Sequence, residues 1–172
     1  CVSRDEGTCF HGGPLVRIKN VMNLNYSVLR DWLLPTLHEV ASNSSGALFP
    51  HRVFEVGEVC RWDATQNLSS TTEWNLAALI ADHEVGFSDI QAYLHEILRT
   101  LGIGSEGEGP TYKLEAGEHP AFIPGRTAWI VAGDQQIGVV GEIHPQVLEN
   151  WKIHAPVGAF ELRLEPLRAL LG

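Results

Sequence analysis

The sequence predicts an α+β fold, an antiparallel sheet flanked by helices, and three observations carry that prediction. Stretches rich in Val, Ile and aromatic residues recur along the chain, separated by short polar or glycine-containing turns, as antiparallel strands require. Two longer stretches, SVLRDWLLPTLHEVASN (27–43) and FSDIQAYLHEILRTLGIG (87–104), place apolar residues at helical spacing instead. No internal repeat or long low-complexity segment interrupts them, which fits one compact unit.

The elements follow in order. Leu29, Leu33, Leu37 and Val40 share a helical face, and Pro35 is tolerable only where a helix starts or kinks, so the regular helix is placed from about Leu34 to Ser42, with Asn43 to Gly46 as its stop. RVFEVGEVCRW (52–62) has strand chemistry and leads into the polar loop DATQNLSSTTE (63–73). WNLAALIAD (74–82) is nearly all apolar, suited to a strand covered on both faces. In the second helical stretch Ser88 and Gln91 match a capping box, Ile90, Leu94, Ile97, Leu98 and Leu101 form the buried stripe, and Gly102 follows the last turn. SEGEGP (105–110) is a loop, TYKLE (111–115) a short strand, and HPAFIPGRT (119–127) a connection stiffened by two prolines and a glycine. TAWIVAGDQQIGVVGEI (127–143) reads as two strands joined by a turn at Gly133 to Gln135. Pro145 suits a first helical position with His144 as its cap, and GAFELRLEPL (158–167) reads as a closing, alternating strand.

Composition narrows the function. With 172 residues, 44% hydrophobic and 19% charged, the chain has the make-up of one soluble globular domain. The 21 acidic residues outnumber 12 Lys and Arg, giving a formal net charge of -9, and the basic residues are scattered, which argues against a nucleic-acid surface made by this chain alone. Three cysteines without a repeated spacing, no secretory leader and no apolar run long enough to span a bilayer predict a cytoplasmic protein with no membrane partner. Cys1, Cys9 and His11 could be zinc ligands, but a fourth at usable spacing is missing, so no metal site is assigned. The polar, glycine-rich start, without Met, is read as a lead-in (1–14) to a module at 15–172 cut from a longer chain.

The stretch GEIHPQVLENW (141–151) groups Glu142, His144 and Glu149, which could be a metal or base site or a structural corner. Two carboxylates and one His fall short of a metal signature, so it is read as a corner: strand end, His-Pro bend, short helix packing Val147, Leu148 and Trp151. His38, His51 and His119 are read as surface or capping residues.

Five motifs then recur in a known order: SVLRDWLLP (27–35), FEVGEV (54–59), AFIPGRTA (121–128), IGVVGEIHPQVLENW (137–151) and PVGAFEL (156–162). In this order, from Leu15 to Leu167, the chain resembles the C-terminal catalytic-like module of the phenylalanyl-tRNA synthetase beta subunit, of the archaeal and eukaryotic type. Asn20 departs from that pattern, being followed by Val21 where the family has proline, and the helix and strand that open a class II synthetase core are absent. The resemblance therefore implies a class II aminoacyl-tRNA synthetase-like core truncated at its N-terminal side. It also implies a heterotetramer in which the alpha subunit uses ATP and Mg2+ to charge tRNA(Phe) with phenylalanine, while the beta module, a degenerate copy without cofactor or catalytic residues of its own, supports it.

The residues can be weighed against that implication. Arg61 stands at the end of the strand where active class II enzymes carry an arginine, and is the candidate nucleotide-binding group. In GAFELRLEPL, Glu161 and Arg163 replace glycines of the ATP-binding strand, and Pro166 stands where the clamping arginine would be. A continuing strand puts Glu161, Arg163 and Glu165 on one face, making Arg163 an ion-pairing position between two carboxylates. Arg126, after the Pro124-Gly125 bend, is the candidate contact for tRNA or the alpha subunit. The apolar run Trp32, Leu33 and Leu34 is the candidate partner interface. The expected function is a non-catalytic assembly module, inert alone; the alternatives are a free-standing paralogue binding a small molecule or RNA, and an active acyl-adenylate-forming enzyme.

Overall fold

The computed structural model describes residues 14–20, 27–44, 48–107 and 109–172; Cys1, Cys9, His11, Val21 and most of the 1–14 lead-in lie outside the described residues. The elements run α1 (Leu34–Asn43), β1 (His51–Trp62), β2 (Ser70–Ala81), α2 (Phe87–Thr100), β3 (Tyr112–Ala116), β4 (Phe122–Ala132), β5 (Gln135–Ile143), α3 (Pro145–Trp151), β6 (Val157–Arg163) and α4 (Leu164–Leu171). The strands make one six-stranded sheet in the order β1-β2-β6-β5-β4-β3, and every neighbouring pair is antiparallel.

Helices cover both faces of this sheet because its inner strands are apolar on both sides. On one face Leu34 and Leu37 of α1 and Val147 of α3 pack with Leu79, Val139 and Ala159. On the other, Ile90, Leu94 and Leu98 of α2 and Leu167 of α4 meet Ile130 and Phe160. The edge strand β1 is covered on one side only, so its register partners leave an apolar strip facing outward. Phe54 (74% exposed) lies opposite Ala78 and Val56 opposite Leu76, with Trp62 and Trp74 on the same open face.

Helix boundaries follow local chemistry. Pro35 sits in the first turn of α1, as its missing N–H demands. At α2 the expected capping box on Ser88 and Gln91 is displaced by two residues: Gly86 is the N-cap, and Asp89 Oδ2 accepts the Gly86 N–H at 2.8 Å. The Asp89 carboxylate both satisfies a backbone donor and faces the positive end of the helix, a combination unavailable to Gln91. Asp89→Ala is therefore expected to lower stability by about 0.5–2 kcal/mol, and Gln91→Ala to stay within about 0.5 kcal/mol, in urea unfolding. At the other end Gly102, with φ +81°, lets Ile103 N–H reach back to Leu98 O at 2.9 Å, closing the helix between two fully buried side chains.

Three further expectations are corrected. Strand β2 begins at Ser70, inside the stretch read as loop, because its polar start pairs regularly with Arg61 and Trp62 of β1. The 119–127 connection is partly strand: β4 starts at Phe122 and carries Pro124 and Gly125 (φ +77°) in a register break between Phe122 and Thr127. GAFELRLEPL is not one strand. β6 ends at Arg163, and Leu164, Leu167 and Leu171 then fall at helical spacing in α4, where Pro166 occupies the first turn. Leu164 fits either period, so alternation alone could not locate the junction, and α4 is a helix where a strand was expected.

Candidate functional site

The β1–β2–β6 register assembles a polar cluster on the α1 side of the sheet. Val59 pairs with Glu73, Asn75 with Arg163, and Ala77 with Glu161, so Glu73, Asn75, Glu161, Arg163 and Arg61 project from the same face as the core residues Val59 and Ala77. Arg61 and Arg163 converge on one carboxylate. Glu73 Oε2 lies 3.4 Å from Arg61 Nε and 3.2 Å from Arg163 Nε, and Glu73 Oε1 lies 3.4 Å from Arg163 Nη2. Burial lowers the Arg61 pKa, which Glu73 opposes and the neighbouring Arg163 reinforces. Arg163 is thus not held between Glu161 and Glu165. It reaches across to β2, while Glu165 lies on α4, 3.5 Å from Arg168.

Glu161 points inward and is 1% exposed. Both its oxygens accept the Leu33 N–H at 2.9 Å, Oε2 also accepts the Leu34 N–H at 3.1 Å, and Asn75 Nδ2 donates to Oε1 at 2.6 Å. The carboxylate therefore supplies the N-terminal cap that the α1 sequence lacks. This also explains Trp32, Leu33 and Leu34, which are 2%, 0% and 0% exposed. They belong to the chain's own core, which corrects their reading as a partner face.

Arg126 stands at the far end of the sheet, its side chain 60% exposed and its Nη1 2.6 Å from Glu142 Oε2. Glu142 Oε1 accepts the Phe87 N–H at 2.9 Å, so this carboxylate also anchors the first residue of α2. His144 Nδ1 accepts the Gln146 N–H at 3.1 Å as the N-cap of α3. Among the described residues, no group of three or more His, Cys, Asp or Glu side chains could hold a metal ion, and no helix is long and apolar enough to cross a membrane.

Two histidines read as surface or capping residues are buried. His119 is 9% exposed among the rings of Trp32, Phe122 and Trp129, while its Nδ1 does accept the Ala121 N–H. His38 is 3% exposed and donates from Nδ1 to Leu34 O at 2.6 Å; burial pushes its pKa down to about 4. Sequence reasoning missed Glu73 and Asn75 as partners in the polar cluster. The available signal was their two-residue spacing just ahead of the apolar run that begins at Leu76.

Residues 5–164 match the family described as phenylalanyl tRNA synthetase beta chain CLM domain. The chain belongs to this family. Over 153 residues, 89% of the chain, it is 41% identical to the phenylalanine–tRNA ligase beta subunit of Thermococcus kodakarensis and 39% identical to that of Pyrococcus abyssi. A similar beta subunit from Thermofilum pendens is 39% identical over 152 residues, 88% of the chain. The CLM chain spans about a quarter of these relatives, 25% of the first and 26% of the others.

Proposed function

We propose that this CLM chain, with residues 15–172 as its folding unit, is a non-catalytic structural and assembly module of a phenylalanine–tRNA ligase beta subunit. In this reading it is a class II synthetase-like core that supports an alpha subunit, and that subunit charges tRNA(Phe) with phenylalanine using ATP and Mg2+. The observation that carries the inert part is the shared Glu73 carboxylate. A triphosphate needs cations free to meet its charge, whereas the candidate Arg61 and its neighbour Arg163 both face Glu73 at 3.2–3.4 Å. Glu161 and the fully buried Leu33–Leu34 segment fill the sheet face beside them. This arrangement supports the reading that the chain does not hold a nucleotide by itself. Amino-acid-dependent ATP–pyrophosphate exchange by the chain is expected to stay at background; exchange that disappears in Arg61→Ala would overturn the reading.

The assembly part rests on the open face of β1–β2. Phe54, Val56, Trp62 and Trp74 are 74%, 48%, 50% and 47% exposed, an apolar strip of the kind that aromatic-rich interfaces bury. We assign this strip, in place of Trp32–Leu34, to the alpha-subunit contact, and Arg126 to tRNA or partner contact at the opposite end of the sheet. In the complete beta subunit, Phe54→Ser with Trp74→Ser is expected to weaken association with the alpha subunit by roughly tenfold or more. The circular dichroism should be unchanged. Unaltered affinity in a titration with the alpha subunit would remove the strip from the interface.

A further inference from the structure

Glu161 is a buried acid without a cation of its own. Its four hydrogen-bond contacts come from Leu33 N–H, Leu34 N–H and Asn75, all uncharged, while both neighbouring guanidiniums are directed to Glu73. Complete burial disfavours a lone negative charge, and donors at a helix start favour it, so the two influences oppose each other at one side chain. The charged groups of the surrounding elements divide in the same way. Asp31, ahead of α1, disfavours ionisation of Glu161, and Arg61 on β1 favours it. Glu73 on β2 and Arg163 on β6 largely neutralise each other.

We propose that Glu161 is a proton-linked latch: the docking of residues 31–34 and the first turn of α1 onto the sheet is coupled to proton binding by this carboxyl group. The inference stands apart from the assembly reading, since it concerns a contact inside the chain. Its support is the geometry, in which one side chain of β6 holds the two backbone N–H groups that begin α1. Burial, acting against the hydrogen bonds from Asn75, Leu33 and Leu34, pushes the Glu161 pKa up from an ordinary 4.5 to about 7. Across that window the folded chain retains a proton that the unfolded chain has released, so stability falls as pH rises. His38, one turn into α1, acts oppositely. Its pKa falls from 6.5 to about 4, so its contribution is lost as pH drops through that range and masks the Glu161 slope in the native chain.

Three measurements on the 172-residue chain test the latch. In protein labelled with 13C at the Glu carboxyl carbons, the Glu161 resonance, assigned by its absence in Glu161→Gln, is expected to titrate near neutrality. Amide exchange at Leu33 and Leu34 should accelerate through the same transition beyond the intrinsic base-catalysed trend. Gln keeps the carbonyl acceptor for Leu33 and Leu34 without a charge, so the urea midpoint of Glu161→Gln relative to the native chain is expected to rise progressively from about pH 4.5 to about pH 7 and level off above it. A Glu161 resonance titrating in the ordinary carboxyl range overturns the proposal. A midpoint difference that does not change with pH overturns it as well.

Discussion

Trp32→Ala is expected to lower the stability of the isolated chain by about 3–5 kcal/mol. Trp32 is 2% exposed, lies between Asp31 and the fully buried Leu33, and packs its ring against His119 at a centroid separation of 5.4 Å. Truncation to alanine removes the largest side chain of that core face and leaves a space that α1 cannot close, because Glu161 fixes the backbone at Leu33 and Leu34. The urea midpoint should fall with little change in slope, the mark of lost stability without a change in the surface exposed. A loss within about 0.5 kcal/mol would instead place the indole at a partner surface, where truncation leaves the isolated chain undisturbed.

The second large effect is expected at Gly138 in β5, opposite Leu162 of β6. A methyl group there would land on the Glu161 carbonyl oxygen and lie 3.1 Å from Leu162 Cδ2. The oxygen is backbone and cannot yield without moving β6, which carries Glu161. Gly138→Ala should therefore cost about 3 kcal/mol or more, at the upper end of overpacking penalties, and leave much of the protein insoluble on expression. Gly109→Ala is the control: a methyl group there meets nothing within 4 Å, and stability should move by less than about 0.5 kcal/mol. Equal midpoints for the two variants would show that the β5–β6 spacing is not fixed by that glycine.

Most of the fold was legible because its signals are local. The α1 boundaries follow from Pro35, the α3 start from His144-Pro145 and the α2 stop from Gly102, each a residue whose covalent geometry restricts the backbone. The β6–α4 junction was not legible, since Leu162, Leu164 and Leu167 satisfy a strand period and a helix period in turn. The polar cluster was less legible still. Arg61 and Arg163 are visible as cations, but their common carboxylate, Glu73, depends on register across three strands, which no single segment encodes. Trp32–Leu34 looked like surface for a related reason: Glu161, which holds the Leu33 and Leu34 N–H groups, and His119, against which Trp32 packs, both come from segments distant in sequence.

The position of β6 also sets the order in which the sheet can be assembled. The hairpin β1–β2 and the meander β3–β4–β5 close through neighbouring segments, whereas β2 and β5 touch only through residues 157–163. During synthesis two partial sheets must wait, each with a bare edge, until this late strand leaves the ribosome and is inserted between them. Closing the sheet thus depends on a contact of long sequence separation, the kind that slows folding. Any delay in translation before residue 157 prolongs the interval in which those edges can pair with another chain.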